Sequence, residues 1–264
     1  MTIIHHLDVK LTESPIFVLG APRSGTSMMQ WALRQHPELW GGQESDFLVP
    51  LIEHLRSVHE LGSRRGKLHW ISGQKVNFDE FLAYAGVGMN ALYTNRSGGL
   101  RWVEQTPQYT LHMDDILLLF PGAVFIMMLR DGRDVVASLR HFVNPVEHVE
   151  ASNLWATFVS AGLDFAAGPK AERVHLVSYQ DVVESTEAAL AKVYAFLDLP
   201  ESLESVAWIT ERSPINTSFP DAAPGSSIAR WRTWTATQRR EFHEAAGEVL
   251  IRAGFEVDDS WVAG

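Results

Sequence analysis

The sequence IFVLGAPRSGTS, residues 16–27, decides the fold. Its first five residues form an apolar run between Pro15 and the turn, which predicts a short strand buried on both faces of a parallel sheet. After the turn, SMMQWALRQH (residues 27–36) has apolar side chains at helical spacing. A strand that passes through a glycine-bearing turn into a helix is the repeating unit of α/β proteins, so we expect this unit to anchor the sheet.

The rest of the chain repeats this alternation. Apolar runs predict further strands at 102–103, 123–129 and 174–179. Helical periodicity and end signals predict helices at 47–62, 78–93, 111–119, 150–167, 181–197 and 236–253, with another opening at Asp131 or Gly132. The segments 62–77 and 213–232 are predicted to be loops. The sequence therefore predicts an α/β fold with a parallel central sheet flanked by helices, as a single domain over residues 1–264.

Composition narrows the class of protein. The chain has 264 residues, of which 46% are apolar, and a formal net charge of −10. Proteins that hold nucleic acid usually present a basic face, so nucleic acid is not expected as a partner. The absence of cysteine excludes disulfides, thiolate metal sites and cysteine nucleophiles. Apolar runs fall short of the roughly 20 residues that a membrane span needs, and no signal-peptide pattern opens the chain, so we expect no membrane span and a cytoplasmic location.

The turn GAPRSGTS, residues 20–27, has the position and composition of an anion-binding loop. It lies where a strand ends and a helix begins, so unpaired N–H groups and the helix dipole favour an anion there. A Walker loop would have lysine where this chain has Thr26, and the only cation of the turn is Arg23. An arginine suits a terminal anionic group, such as a sulfuryl next to a 5′-phosphate, better than an Mg²⁺-bound triphosphate. The alternative is a tight turn whose glycines are only structural.

A second candidate anion site follows the strand predicted at 123–129. Arg130 at the strand end and Ser138, two turns into the next helix, can both reach the carboxyl edge of the sheet, where open α/β sheets bind ligands. An arginine and a hydroxyl group this far from the first loop suit a separate phosphate group. The alternative is a surface arginine paired with Asp131 or Asp134.

In this order and separation, the two motifs resemble the family of sulfotransferases that use PAPS, 3′-phosphoadenosine-5′-phosphosulfate. PRSGT after a strand is similar to the family's 5′-phosphosulfate loop, and the R-x₇-S spacing is similar to its 3′-phosphate motif. HPELWGGQESDFLVP (residues 36–50) resembles tyrosylprotein sulfotransferases, and QESDFL within it resembles the catalytic-glutamate segment of heparan sulfate sulfotransferases. The resemblance implies a P-loop-containing nucleotide-hydrolase-like sulfotransferase fold. It also implies transfer of a sulfuryl group from PAPS to an acceptor hydroxyl or amine, which leaves PAP (3′,5′-phosphoadenosine).

The resemblance further implies which residues hold PAPS. The 5′-phosphate and the sulfuryl group would be bound by the loop residues Arg23, Ser24, Gly25, Thr26 and Ser27. Other contacts would come from distant positions: Arg130 and Ser138 for the 3′-phosphate, Tyr179 beside the nucleotide, and Ser226, Ser227 and Arg230 in a closing loop. No metal is expected, because the histidines lack metal-binding spacing.

For catalysis, the resemblance to heparan sulfate sulfotransferases implies Glu44 as the general base, with Arg23 supplying positive charge. The alignment with tyrosylprotein sulfotransferases would instead place the base at Gln43, which cannot take a proton. Glu104 and His112 are therefore kept as alternative candidates for the base. Many relatives carry a lysine where this chain has Gln105. The absence of that lysine leaves Arg23 with more of the charge stabilisation, or passes this task to another cation.

Two other functions stay open on the sequence alone. A kinase or nucleotide hydrolase that uses Mg·ATP is disfavoured by Thr26 at the Walker lysine position. A module that binds PAP without catalysis is kept open by the missing lysine. The acceptor could be a small molecule, a carbohydrate or a peptide, since acceptor pockets are built from the variable stretches of the chain.

Overall fold

Five parallel strands form one sheet in the computed structural model of the chain, which describes residues 10–141, 144–212 and 229–263. The strands are β1 (Ile16–Gly20), β2 (Leu39–Gly41), β3 (Arg101–Glu104), β4 (Val124–Leu129) and β5 (Val174–Ser178). They lie in the order β2-β3-β1-β4-β5, so β1 is central and pairs with β3 and β4. The predicted parallel central sheet is confirmed.

Helices flank this sheet. They are α1 (Thr26–Leu33), α2 (Leu48–Ser63), α3 (Trp70–Gly73), α4 (Phe78–Arg96), α5 (Met113–Leu119), α6 (Gly132–Arg140), α7 (His148–Ala166), α8 (Tyr179–Glu184), α9 (Thr186–Leu197), α10 (Leu203–Arg212) and α11 (Ala236–Arg252). Short 3₁₀ turns cover Gly66–Leu68, Pro107–His112, Ala171–Arg173, Arg230–Thr233 and Ser260–Val262. Within the described parts of the chain, no helix combines the length and apolar character that a membrane crossing requires.

The two faces of β1 pack into two separate apolar clusters. Phe17 and Leu19 belong to the cluster that includes side chains of α7 and α11, whereas Ile16 and Val18 belong to the cluster formed with α1 and α9. All four side chains are fully buried. Successive strand residues point to opposite faces, so a strand covered on both sides needs apolar residues throughout. Each such side chain contributes about 1.5–3 kcal/mol by its burial.

Helix ends follow the signals in the sequence. The Asp131 side chain accepts a hydrogen bond from the Arg133 backbone N–H (2.9 Å) and caps α6, as predicted for the helix that opens there. Thr235 and Gln238 form the predicted capping box at the start of α11. Gly254, with φ +80°, follows the end of that helix in the left-handed conformation that glycine favours.

Two predicted elements are wrong, and two observed elements have no counterpart among the predictions. Strand β2 was not predicted because three residues are too few to show a period. Segment 62–77, predicted as a loop, contains the turn Gly66–Leu68 and α3. The single helix predicted at 181–197 is divided at Ser185 into α8 and α9. Helix α10 was not assigned, and of the loop predicted at 213–232 only residues 229–232 are described.

Parallel strands bring their carboxyl ends to one edge of the sheet, and polar residues follow each end. Arg23 lies three residues after β1, and Glu44 lies three residues after β2. Gln105, Arg130 and Tyr179 come directly after β3, β4 and β5. The fold thus places the candidate functional residues along a single edge.

Candidate active site

The loop between β1 and α1 (residues 21–25) has a backbone that few side chains tolerate. Arg23 has φ +71° and Gly25 has φ +92°, and Ser24 N–H donates to Ala21 O (3.1 Å). A Cβ at Gly25 would lie 2.6 Å from a ring carbon of Tyr179. The glycine therefore serves both the turn and the close approach of Tyr179, and the loop leads into the first turn of α1, whose N–H groups have no intrahelical acceptor.

Ser24 carries a buried hydroxyl group inside this loop. The residue is fully buried, and its Oγ has no hydrogen-bond partner among the described residues. A buried hydroxyl left without a partner costs about 1–3 kcal/mol, so a ligand or water usually satisfies it. A phosphate or sulfuryl oxygen at the helix start would do so, which fits the anion that the sequence predicts.

Arg23 meets the second anion motif directly. Arg23 Nε donates to Ser138 Oγ (3.2 Å), and Arg130 Nη1 donates to the backbone oxygen of Arg23 (2.7 Å). The Arg130 guanidinium also stacks on Tyr179, with Cζ 4.4 Å from the ring centroid. Trp155 Nε1 donates to the Arg130 backbone oxygen (3.1 Å). Two motifs that lie far apart in sequence therefore form one site at the ends of β1, β4 and β5.

Positive charge is concentrated at this site. Burial, and next the nearby Arg130, lower the pKa of the Arg23 guanidinium. The same two causes lower the pKa of the Arg230 guanidinium. Arginines that repel one another in a partly desolvated site are stabilised when a highly charged anion binds between them.

Asp134 attaches the segment that carries Arg230. Its carboxylate accepts hydrogen bonds from the backbone N–H groups of Ala229 and Arg230, both at 2.9 Å. Burial, and next the charge of Asp131, raise the pKa of Asp134 to about 6. Asp131 itself pairs with Arg133 (2.7 Å). Asp131 therefore pairs with Arg133, whereas Asp134 accepts these two backbone N–H groups and also interacts electrostatically with Arg130.

Glu44 lies at the rim of the site, and Gln105 links it to α1. Gln105 Nε2 donates to Glu44 Oε1 and to Thr26 Oγ1, each at 3.1 Å, and Ser27 Oγ donates to Gln105 Oε1 (3.2 Å). Although Glu44 is exposed, partial desolvation of its carboxyl group raises its pKa. A carboxylate held beside the anion loop with a raised pKa has the properties of a general base.

A second carboxyl group, that of Glu104, is buried behind this segment. Its Oε1 accepts hydrogen bonds from Ser45 Oγ (2.9 Å), Ser45 N–H (3.2 Å) and Thr106 Oγ1 (2.7 Å). Ser45 Oγ also contacts the Tyr109 hydroxyl (2.8 Å). Burial raises the pKa of Glu104 to about 7. Two of the three hydrogen bonds come from Ser45, the neighbour of Glu44, so Glu104 holds the segment that carries Glu44 in place.

The structure brings most of the predicted site residues to one edge. Those that converge are Arg23, Ser24, Gly25, Thr26, Ser27, Glu44, Arg130, Ser138, Tyr179 and Arg230. Ser226 and Ser227 lie outside the described residues. His112, an alternative candidate for the base, contacts Asp115 (3.6 Å). Sequence reasoning missed Trp155, which comes from α7 and carries no local signal. Across the described residues, no group of three or more His, Asp or Glu is arranged to hold a metal ion.

A model described as the sulfotransferase family matches residues 15–203, which contain all five strands and both anion motifs. The chain belongs to this family. Its curated relatives include the protein-tyrosine sulfotransferase of Drosophila melanogaster, 29% identical over 70% of this chain and 38% of the relative. Protein-tyrosine sulfotransferase A of Caenorhabditis elegans is 25% identical over 70% of this chain and 50% of the relative. The sulfotransferase chain thus spans half or less of these two relatives.

Solved sulfotransferases share the fold. The sulfotransferase domain of the Synechococcus PCC 7002 olefin synthase superposes with a TM-score of 0.62 at 20% identity, over 92% of this chain and 96% of that chain. Mouse sulfotransferase SULT7A1, solved in complex with PAP, superposes with a TM-score of 0.54 at 13% identity, over 92% and 86%. At these identities the likeness shows the sulfotransferase fold, as the sequence predicted.

Proposed function

We propose that this sulfotransferase takes its sulfuryl group from PAPS and transfers it to an acceptor hydroxyl or amine, which leaves PAP. The junction of the two anion motifs is the observation that supports this most. Arg23 Nε lies 3.2 Å from Ser138 Oγ, and Arg130 stacks on Tyr179 beside them. PAPS carries a phosphosulfate and a 3′-phosphate on one nucleoside. A site in which two arginines follow neighbouring strands suits a ligand with two separate anionic groups.

The anion loop favours PAPS over Mg·ATP for a reason of residue chemistry. Thr26 occupies the position at which a Walker loop has the lysine that contacts the β- and γ-phosphates. In this chain the Arg23 guanidinium offers planar N–H donors, and the buried Ser24 hydroxyl offers a short polar contact. These groups suit a single terminal anionic group rather than a triphosphate.

Each residue has a task in this proposal. Arg23 and the start of α1 hold the 5′-phosphate end, Arg130 and Ser138 hold the 3′-phosphate, and Glu44 removes the acceptor proton. Bound PAPS supplies an electrophilic sulfur with a phosphate leaving group. The bond from sulfur to the acceptor oxygen, or to the nitrogen of an amine, forms as the S–O bond to the 5′-phosphate breaks, the acceptor proton passes to Glu44, and PAP leaves. Alignment and charge stabilisation dominate the rate of such transfers.

For the acceptor we propose the tyrosine hydroxyl of a peptide or protein. The relatives named protein-tyrosine sulfotransferases support this choice. Phe47, three residues after Glu44, is 39% exposed and stacks on Tyr93 with ring centroids 6.1 Å apart. An exposed ring near the base offers an apolar contact to a phenol.

Calorimetric titration with PAP in the absence of Mg²⁺ tests the donor. We expect binding that Arg23→Ala and Arg130→Ala each weaken by about tenfold or more, because hydrogen bonds to charged groups contribute about 1.5–3 kcal/mol. The control is Arg173→Ala, a surface arginine whose charged neighbour is Glu172 (3.7 Å). Tighter binding of Mg·ATP than of PAP would contradict the proposal and favour a kinase or hydrolase.

Labelled PAPS incubated with tyrosine peptides, oligosaccharides and small phenols tests the transfer and the acceptor. We expect label on the tyrosine peptides, and we expect Glu44→Gln to lower turnover about 10²-fold while PAP affinity stays unchanged. Glu38→Gln, at an exposed position, is the matched control. Wild-type turnover in Glu44→Gln removes Glu44 as the base. Tight PAP binding without transfer to any acceptor would indicate a non-catalytic PAP-binding module.

A further inference from the structure

Gln105 occupies a position that links two parts of the site. It follows β3, is only 1% exposed, and makes three side-chain hydrogen bonds. Its amide nitrogen donates to Glu44 and Thr26, and its amide oxygen accepts from Ser27. The base candidate and the first turn of α1 are therefore held together through one buried side chain.

The chemistry of the three partners determines which way the amide points. An ionised carboxylate only accepts hydrogen bonds, so the NH₂ group must face Glu44, and the oxygen then faces the Ser27 hydroxyl, which can donate. Lysine at this position could donate to Glu44 and to the Ser27 hydroxyl, but it would place a positive charge beside Glu44. Glutamate could accept from Ser27 but would meet Glu44 with a like charge. A primary amide makes both contacts without adding a charge.

We propose that Gln105 is a positioning residue, which ties Glu44 to the start of α1 through a neutral group and so preserves Glu44 as a proton acceptor. This inference rests on the proposed function, in which Glu44 is the base. It also gives a reason for the absence of lysine at a position where many sulfotransferases have one. The hydrogen bonds keep the base in place, and Arg23 remains the cation of the anion loop.

The electrostatic argument follows from charge at short distance. An opposite charge within about 4–6 Å lowers the pKa of a carboxyl group by about 1–3, and a weaker base removes protons less effectively. A lysine ammonium at Gln105 would lie that close to Glu44. In the present protein, burial raises the Glu44 pKa, the hydrogen bond from the neutral Gln105 amide lowers it, and the charge of Asp46 on the same segment raises it. The charge of Glu44 in turn contributes to the raised pKa of Glu104 at the end of β3.

The test uses three substitutions of Gln105 and two readouts. Gln105→Lys adds a positive charge, Gln105→Glu adds a negative charge, and Gln105→Met keeps the length without the hydrogen bonds. The first readout is the pKa of the Glu44 carboxyl in the ligand-free protein, measured by ¹³C NMR and assigned from the signal that Glu44→Gln removes. The second readout is the pH dependence of kcat with labelled PAPS and a saturating acceptor.

We expect Gln105→Lys to lower the Glu44 pKa by about one or more and Gln105→Glu to raise it, with the acid limb of the kcat profile moving in the same directions. Gln105→Met should lower kcat by about tenfold with little change in KM for PAPS, because alignment rather than binding is lost. Gln108→Lys, at an exposed glutamine three residues later, adds the same charge away from Glu44 and should move neither readout.

The two proposals fail in different ways. The role of Gln105 would be overturned if the Glu44 pKa and the acid limb of the kcat profile were the same in Gln105→Lys and Gln105→Glu as in the wild type. This conclusion would hold even if the wild type transfers sulfuryl groups from PAPS at its full rate. A wild type that transfers nothing would overturn the proposed function, whereas the NMR measurement would still report the contact between Glu44 and Gln105. Melting curves identify any variant that does not fold, and the other two substitutions then decide the question.

Discussion

Glu104→Gln should leave stability near pH 5 almost unchanged and raise it above pH 7. Glu104 is 2% exposed, and burial raises the pKa of its carboxyl to about 7 from an ordinary value of 4.5. Between these two pH values the unfolded chain loses the proton while the folded protein keeps it. The folded state then binds more protons than the unfolded state, so the free energy of unfolding falls as pH rises through this window. Glutamine has no proton to lose and escapes that penalty.

The expected size follows from the separation of the two pKa values. Each pH unit between them corresponds to about 1.4 kcal/mol, so the wild type should lose about 3 kcal/mol relative to Glu104→Gln between pH 4.5 and pH 8. Near pH 5 a protonated carboxyl and an amide both present one acceptor oxygen to the donors of Ser45 and Thr106. Urea unfolding followed by tryptophan fluorescence at several pH values measures this difference.

Comparison with the wild type at each pH isolates Glu104, because other groups such as Asp134 titrate in both proteins. Glu53→Gln, an exposed glutamate on α2, serves as the control for removal of one negative charge. Stability curves that stay parallel over the whole range would show that the Glu104 carboxyl is ionised in the folded protein near pH 5. That result would refute the reasoning from burial.

Three further predictions concern the candidate anion site and the ion pairs of α6. Gly25→Ala should destabilise the protein by at least about 1–2 kcal/mol and weaken PAP binding, because φ is +92° and the added Cβ meets Tyr179; melting curves and calorimetry measure this. Asp134→Asn should weaken PAP binding about tenfold by loosening the segment of Arg230, and adding Arg230→Ala should cost little more if the two act together. Arg133→Ala should cost about 1.5–3 kcal/mol in urea unfolding, because two partly exposed carboxylates lose their charged hydrogen bonds to a buried partner; a loss below 1 kcal/mol would contradict this.

The elements that could be predicted are those with a signal of their own. The apolar run of β1 and the capping box of α11 are local patterns, and both appear in the structure. Strand β2 has three residues and exists because it pairs with β3, with Trp40 opposite Trp102. No pattern within residues 39–41 predicts that pairing. The break at Ser185 was missed because the apolar face of the segment continues across it.

The candidate site also contains some residues that the sequence predicts and others whose contacts only the structure shows. Arg23 and Arg130 could be found because each follows an apolar run that reads as a strand, and strand ends are where α/β sheets bind ligands. Gln105 was noticed only as a missing lysine, and its three hydrogen bonds could not be foreseen. The sequence offers Asp134 only as an ion-pair partner of Arg130, and the structure adds two backbone N–H groups that its carboxylate accepts.

By itself, the sequence determined the class of the fold and the positions of two candidate anion motifs, because both depend on residue types within a strand, a turn and a helix. Only the tertiary structure decided that Arg23 lies against Ser138 and that Gln105 joins Glu44 to α1. These contacts connect residues 115 and 61 positions apart. Their distances depend on the order β2-β3-β1-β4-β5 of the sheet, which long-range packing sets and local propensity does not specify.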